Sequence, residues 1–394
     1  MKRIIQLIVA ITFALQANGQ PLLDIYKTGT VNLVPEGGFA QGQNWNEIFP
    51  DYSTIVHGNA IGSYKSIAVA PDGSTFVGNY SSYTIQKFDA NGKLILTFGK
   101  KGKEEGDFKE RPTLGGVVNG KYVFTHEHNG QIKLFTLDGN YAKTLKVDYM
   151  PLKVIALANK IALVGHVPME GKVRYVITII DPETGSQSII KKYDNIWEPS
   201  LVVNKVSYVY SFTPSFTRSE IIIRALSNGN ILVGINTQKS LEIYSPEGRL
   251  VNSFNLDFAP LAYPEDLKKE FTTSLEKRVA ENKLTKEDIS AVYKSDFFPK
   301  NTPFYYNILI DSDDNILVFR FTEEDVDHKF MVYTFDSKGQ HTAESTLNID
   351  GYNLSLSPRF NEVAFYKGKI IGLLTKKDDS KQAASLIRFE LKGR

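Results

Sequence analysis

The sequence predicts an all-β fold, namely a six-bladed β-propeller whose blades are four-stranded antiparallel sheets. The main observation is a unit of four short strands separated by glycine-containing turns, which recurs with the same internal spacing further along the chain. Composition agrees, since 24 Phe and 20 Tyr stand against only 4 Met, and aromatic residues favour strands. One helical insertion is predicted between blades 4 and 5.

The plainest unit covers residues 66–99. Its predicted strands are residues 67–70, 75–79, 84–88 and 93–98. Asp72-Gly73 and Asn91-Gly92 lie between strands and supply the positive φ that tight hairpins require. The unit is therefore predicted to form a four-stranded antiparallel meander.

A second copy of the unit begins at Ile221. Asn228-Gly229 matches Asp72-Gly73, and Gly248 matches Gly92 at the same separation. Weaker copies occupy residues 120–147, 154–193, 304–349 and 360–391. A seven-bladed ring is the main structural alternative to six blades.

The last unit has room for only three strands before the chain ends. Residues 22–34 have an extended pattern and could supply the missing outer strand. A ring closed in this way by the N-terminal strand leaves no free sheet edge, so this closure is predicted.

The link between the first two units carries a family resemblance. Phe98-Gly99 is followed by a glycine-rich loop, by Phe108 and by Pro112. This pattern resembles the link between NHL repeats, and the likeness is best over residues 65–150 and 221–257. It implies an NHL-like propeller of the kind common among exported bacterial proteins of unassigned role. That family includes scaffolds, binding modules and a few enzymes, so the fold does not set the function.

The N-terminus is typical of a secretory signal. Lys2 and Arg3 precede an apolar run over residues 4–15, and Ala17 and Gly19 suit a cleavage site. A membrane anchor is the alternative, but it needs about 18 apolar residues. Residues 1–19 are therefore predicted to be a signal peptide, and residues 20–394 a single propeller domain with no transmembrane segment.

Composition narrows the location and the partners. The chain has no cysteine, so it has no disulfides and lacks the acceptor residue of a lipoprotein. A net charge of +2 gives no general attraction to nucleic acid, which is not predicted as a partner. The protein is expected to be periplasmic or secreted and to bind an unknown protein or glycan.

Residues 259–303 interrupt the repeats. Pro264-Glu265-Asp266 is typical of a helix start, and Phe271, Leu275 and Val279 continue a stripe at helical spacing that begins at Leu267. Thr285 to Asp288 is predicted to cap a second helix running to about residue 294. The insertion could dock on a blade, or it could form a lid over the central opening.

Three histidines form a candidate metal site. His126, His128 and His166 end the second strands of neighbouring units, and imidazole suits zinc and similar ions. Some NHL-like lyases bind a metal with histidines from several blades, although the cysteines of that pattern are absent here. His126 and His128 also point to opposite sides of one strand. A divalent metal is the only cofactor that the sequence suggests.

Basic residues form a candidate ligand site at the starts of the inner strands, which a propeller gathers round one opening. These residues are Lys65, Arg111, Lys153, Arg218 and Arg359. Tyr305 and Tyr306 add aromatic surface suited to stacking on a sugar. A ring of cations would concentrate anionic ligands such as acidic glycans.

No strong catalytic motif is present. The acidic runs 311–314 and 323–325 could hold a cation, but turns explain them more simply. The first hypothesis is therefore an exported, non-catalytic binding module with its ligand at the central opening. The main alternative is a metal-dependent lyase or hydrolase of the NHL-like or lactonase-like kind. The third hypothesis is a structural role in an envelope complex.

Overall fold

The computed structural model describes most of the chain. The described residues are 20–49, 66–80, 82–169, 172–194, 196, 201–205, 208–212, 219–281, 284–320, 329–354, 356, 362–377 and 384–394. The predicted signal, residues 1–19, lies outside these ranges, as do Lys65, Arg218 and Arg359. None of the helices in the described ranges is long and apolar enough to span a membrane.

The N-terminal segment is only partly extended. It forms helix α1 (Leu22–Tyr26), strand β1 (Thr30–Pro35) and helix α2 (Trp45–Ile48). The prediction of an extended chain over residues 22–34 is therefore wrong for its first five residues. Leu22, Ile25 and Tyr26 share one face at helical spacing, and all three are buried.

Four sheets each contain four antiparallel strands in chain order. The first is β2 (Ser66–Val69), β3 (Thr75–Asn79), β4 (Thr84–Phe88) and β5 (Leu94–Phe98). The second is β6 (Thr113–Val118), β7 (Tyr122–His126), β8 (Gln131–Thr136) and β9 (Tyr141–Lys146). The third is β10 (Met150–Ala156), β11 (Ile161–Met169), β12 (Lys172–Ile180) and β13 (Gln187–Asp194). These meanders confirm the predicted all-β propeller with four-stranded antiparallel blades.

A short hairpin that the repeat pattern did not predict follows the third blade. It consists of β14 (Leu201–Lys205) and β15 (Tyr208–Phe212). The fourth blade then follows as β16 (Ile221–Ala225), β17 (Ile231–Ile235), β18 (Ser240–Tyr244) and β19 (Leu250–Asn255). Its strands match the predicted second copy.

The strands after the insertion form, together with β1, one larger sheet of nine strands. It contains β20 (Tyr305–Ile310), β21 (Ile316–Arg320), β22 (Lys329–Phe335), β23 (His341–Ile349), β24 (Tyr352–Asn353), β25 (Val363–Tyr366), β26 (Lys369–Lys376) and β27 (Ser385–Gly393). β1 joins this sheet, lying parallel to β23 and antiparallel to β27. The N-terminal strand thus pairs with the C-terminal strand, as predicted.

The first strands of successive units pack against one another. β2 contacts β6, β6 contacts β10, β10 contacts β16, and β16 contacts β20, while β25 contacts β2. Apolar clusters fill the spaces between neighbouring sheets, for example Phe76 with Leu114 and Val123, and Ile222 with Tyr305. Burial of these side chains supplies the main stabilisation in a chain without disulfides.

Two glycines at the same repeat position allow this close packing. A Cβ at Gly78 would meet Leu114 of the next first strand, and a Cβ at Gly234 would meet the hydroxyl of Tyr305. Each glycine lies in the second strand of its blade. The neighbouring first strand can therefore approach the sheet here only because no side chain stands in the way.

The insertion contains the predicted helix, α3 (Glu265–Glu281), followed by a 3₁₀ helix (Glu287–Tyr293) rather than a second α-helix. Thr285 and Asp288 cap the second segment reciprocally: Thr285 N donates to Asp288 Oδ2 at 2.8 Å, and Asp288 N donates to Thr285 Oγ1 at 3.3 Å. The predicted cap is therefore confirmed.

The apolar face of the insertion packs on the β14–β15 hairpin. Leu275 and Val279 of α3 and Ile289 of the 3₁₀ helix form one buried cluster with Leu201 and Val203 of β14. We call the hairpin and the insertion together the lobe. The apolar stripe predicted for this helix is therefore buried in a small hydrophobic core that belongs to the lobe.

Candidate functional site

A cavity of about 120 Å³ lies between the first strands β16, β20 and β25. Its polar lining residues are Arg224, Asn307 and Glu362, and Leu309, Leu356 and Phe365 are among the apolar ones. All three polar residues are at least nine-tenths buried. Because three buried polar side chains, two of them ionisable, converge on this cavity, it is the strongest candidate for a site.

Arg224 is the central residue of the cavity. It is the fourth residue of β16 and only 8% exposed. Its guanidinium donates from Nε to Ile308 O at 2.5 Å, from Nη1 to Ile223 O at 2.8 Å and from Nη2 to Asn307 Oδ1 at 2.5 Å. Burial lowers the pKa of Arg224 to about 10, so the group remains cationic at neutral pH. All three acceptors are neutral.

Among the described residues, no carboxylate forms an ion pair with Arg224. A buried cation whose hydrogen-bond acceptors are all neutral retains most of its electrostatic desolvation cost. An anion in the cavity would offset that cost. The cavity thus has a cation at one part of its wall, while its lining also includes the carboxylate of Glu362.

Asn307 fixes the orientation of Arg224. The register of β20 shifts between Tyr305 and Asn307, and the Asn307 Oδ1 atom also accepts from Ile308 N at 2.8 Å. Its Nδ2 atom donates to Leu356 O at 2.7 Å. Asn307 thus links β16, β20 and the segment before β25, and it holds the guanidinium at the cavity wall.

Lys153 places a second basic group close to Arg224. It lies in β10 after a register shift at Pro151, and it is 5% exposed. Burial is the main cause that holds the pKa of Lys153 well below its usual value; the cation of Arg224 lowers it further, and Glu220 acts in the opposite direction. Lys153 therefore contributes positive charge near the cavity only when it is protonated.

The structure separates the predicted basic residues. Arg111 is exposed, and its guanidinium lies 5.1 Å from the centre of the Tyr80 ring. Lys153, predicted at the mouth, is instead in the protein interior. Lys65, Arg218 and Arg359 lie outside the described residues. Of the predicted set, only Lys153 is placed beside the cavity charges.

The sequence predicts Tyr305 at the central opening, but the structure places it in the interior. Its side chain is fully buried in the cluster between β16 and β20, because the adjacent Gly234 leaves room for its ring. It therefore presents no aromatic surface for stacking on a sugar. Tyr306 is half-buried and packs against Phe319 and Phe330.

The three histidines have different surroundings. His126 is 2% exposed, and burial together with the nearby His128 lowers the pKa of His126 to about 3, so its imidazole is neutral. His166 stacks on Tyr175 with the ring centres 5.9 Å apart. Within the part of the chain that the structure describes, no three His, Cys, Asp or Glu side chains are grouped to hold a metal.

Nearby carboxylates have structural partners. Glu127 is fully buried, accepts from Asn129 Nδ2 at 3.1 Å and from Glu110 N at 3.3 Å, and lies 3.8 Å from Lys133 Nζ. It anchors the link that enters β6. In the acidic run 311–314, Asp311 accepts from the backbone of residues 313 and 315, which is a turn, as expected.

Sequence reasoning did not identify Arg224, Asn307 or Glu362. A signal was available for the first two, since Arg224 follows Ile221–Ile223 and Asn307 precedes Ile308–Ile310. A polar residue inside a buried apolar strand is unusual and needs a specific partner. Their convergence on one cavity depends on strands far apart in the chain.

Comparisons with known proteins show no match to any protein family and no significant match to a curated protein. The chain is similar to solved structures. A member of the DUF4221 family from Bacteroides vulgatus ATCC 8482 is 10% identical with a TM-score of 0.48, over 93% of this chain and 100% of that chain. A Bacteroides fragilis NCTC 9343 protein provisionally described as exported is 9% identical with a TM-score of 0.47, over 94% and 97%.

A streptogramin B lyase structure is 12% identical with a TM-score of 0.36, over 84% of each chain. At these identities and TM-scores the three likenesses carry no argument about function.

Proposed function

We propose that this chain is an exported, non-catalytic binding propeller whose ligand carries negative charge and occupies the cavity beside Arg224. The observation that carries this proposal is a nine-tenths buried guanidinium at a cavity wall whose acceptors are all neutral. A bound anion would stabilise that charge where water is largely excluded. An acidic glycan or an acidic group of a protein partner has the required chemistry.

We further propose that the ring has six blades and that residues 20–394 form one domain. In this arrangement the larger sheet supplies two blades, one from β20–β23 and one from β25–β27 with β1 as its outer strand. The packing of β25 against β2 supports closure between the last and first blades. The NHL-like link supports the same architecture, and the signal-like N-terminus supports a periplasmic or secreted location.

The proposed binding function can be tested by thermal denaturation of residues 20–394 with acidic and neutral oligosaccharides. A ligand at about 100 times its Kd stabilises the folded state by about 2.7 kcal/mol, which such a scan detects. We expect acidic sugars to raise Tm for the wild type and not for Arg224→Met. Arg249→Met is the matched control, because Arg249 is largely exposed. Equal shifts in wild type and Arg224→Met would contradict a ligand in this cavity.

The alternative is a metal-dependent lyase or hydrolase using His126, His128 and His166. The same scan with EDTA and a panel of divalent ions tests it. A metal-dependent rise in Tm that is lost in His126→Ala would favour the enzyme. If no ion changes Tm, binding without a metal remains the better proposal.

A further inference from the structure

We infer that the group bound in the cavity is a small monocarboxylate with a hydroxyl or ammonium group on the adjacent carbon, held between Arg224 with Asn307 and Glu362. This inference rests on the proposed function and specifies the chemistry of its ligand. Such a ligand needs donors for its carboxylate, a cavity of its size and an acceptor for its hydroxyl or ammonium group.

The donors are available on Arg224 and Asn307. A guanidinium has five N–H groups, of which Arg224 uses one on Nε and one on each Nη for the three bonds described above. Within the described structure, one N–H on each Nη is thus left for a ligand. The Asn307 Nδ2 atom has a second N–H besides the one donated to Leu356 O. Two guanidinium N–H groups match the two oxygens of a carboxylate.

The cavity volume limits the ligand. It is about 120 Å³, whereas an engineered cavity of about 150 Å³ holds benzene. A free ligand of a few carbon atoms, or the end group of a larger one, therefore fits. A complete acidic oligosaccharide does not.

Glu362 supplies the acceptor and restricts the charge. Its carboxylate is 8% exposed and lines the same cavity as Arg224. Glu362 also has another partner, but a carboxylate offers about four acceptor sites and can accept a further hydrogen bond. A hydroxyl or ammonium group would donate to it, whereas the second charge of a phosphate or sulfate dianion would be repelled. The lining therefore favours a monoanion with a neighbouring donor.

The test is calorimetric titration of residues 20–394 at pH 7 with four probes of similar size. Lactate has the carboxylate and the hydroxyl, propionate lacks the hydroxyl, lactamide lacks the charge, and inorganic phosphate can carry a second charge. We expect lactate to bind at least about tenfold more tightly than lactamide, which lacks the charge, and than phosphate, whose second charge Glu362 repels. We expect it to bind about fivefold more tightly than propionate, which cannot donate a further hydrogen bond to Glu362.

Two variants that preserve side-chain shape test the assignments. Asn307→Asp places an internal carboxylate against Arg224 and gives up the hydrogen bond to Leu356 O, so lactate affinity should fall at least about tenfold in variant protein whose circular dichroism shows the wild-type fold. Glu362→Gln should remove the preference for lactate over propionate. Glu390→Gln, at a more exposed glutamate, is the control and should change neither value.

The outcomes separate the two proposals. If acidic oligosaccharides bind in an Arg224-dependent manner but lactate binds no better than lactamide or phosphate, the small carboxylate is wrong and the binding function stands. If Asn307→Asp leaves lactate affinity unchanged, the placement beside Arg224 is wrong. If neither class of ligand binds, both proposals fail.

Discussion

Single buried charges in the first strands determine the chemistry of the candidate site. Arg224 and Lys153 are polar residues within otherwise apolar strands, and both are removed from water. Their position inside an apolar run could identify such residues from the sequence alone. The direction of the Lys153 side chain could not be predicted, since it depends on a register shift at Pro151 that leaves no clear signal in the sequence, and the same holds for Asn307 after the shift at Tyr305.

Lys153 should make stability depend on pH in the alkaline range. Its folded pKa lies well below the unfolded value of about 10.4, so the unfolded chain binds more protons between these two values. Stability must then rise with pH in that window. We expect the free energy of unfolding of the wild type to increase, relative to Lys153→Met, from pH 7 to pH 10 in urea titrations. Lys192→Met, at an exposed lysine, is the control. If the free energy of unfolding changes with pH in the same way in wild type and in Lys153→Met, the lowered pKa of Lys153 is contradicted.

Individual elements followed the sequence pattern where a repeat or a stripe was long enough. The blades at residues 66–99 and 221–255 and helix α3 match their predictions. The β14–β15 hairpin was missed because it belongs to no four-strand unit, and α1 was missed because five residues give little periodicity. Both misses concern short elements whose conformation is set by tertiary packing.

A large-to-small substitution in the core of the lobe should destabilise the lobe and leave the blades folded. Leu275 is almost fully buried against Leu201 and Val203. Leu275→Ala should cost about 2–5 kcal/mol of local stability, because it leaves a cavity in a small core. Hydrogen exchange measured by mass spectrometry should become faster in strands β14 and β15, in α3 and in the 3₁₀ helix. Leu250→Ala, at an exposed leucine of β19, is the control. Equal acceleration across all blades would contradict a separate lobe core.

The packing between blades should be sensitive at Gly234. A Cβ there would collide with the ends of the Tyr305 and Leu241 side chains, both of which are fully buried. Gly234→Ala should therefore destabilise the protein by about 1–3 kcal/mol, seen as a lower Tm. Gly37→Ala is the matched control, since no atom lies within 4 Å of its added Cβ. An unchanged Tm for Gly234→Ala would show that the first strand of the next sheet can shift.

At the scale of the whole molecule, the two ends of the chain are joined in one sheet. Pairing of β1 with β27 was predictable, because a last unit with three strands lacks an outer one. The parallel pairing of β1 with β23 was not, since no local pattern marks which edge a terminal strand will cover. Glu36, just after β1, accepts from Arg388 Nε at 2.6 Å and from Lys369 Nζ at 2.9 Å.

This ion cluster should contribute to acid sensitivity. The cations of Arg388 and Lys369 lower the pKa of Glu36 from 4.5 to about 2. A lowered folded pKa stabilises the protein above the unfolded value, and that stabilisation is lost as the pH falls through 4.5 towards 2. Glu36→Gln should therefore lower the free energy of unfolding at pH 7 by about 1–3 kcal/mol, less so in acid. Glu390→Gln should cost under about 1 kcal/mol, since Glu390 is more exposed. A constant difference between pH 7 and pH 3 would contradict the cluster.

The most direct test of a ligand site beside Arg224 is a crystal structure of residues 20–394 grown with lactate. We predict density for one lactate between the guanidinium of Arg224 and the carboxylate of Glu362, with its carboxylate oxygens within hydrogen-bond distance of the Nη atoms. Lactate found elsewhere on the protein, or a cavity that remains free of it at a concentration saturating in calorimetry, would contradict the assignment.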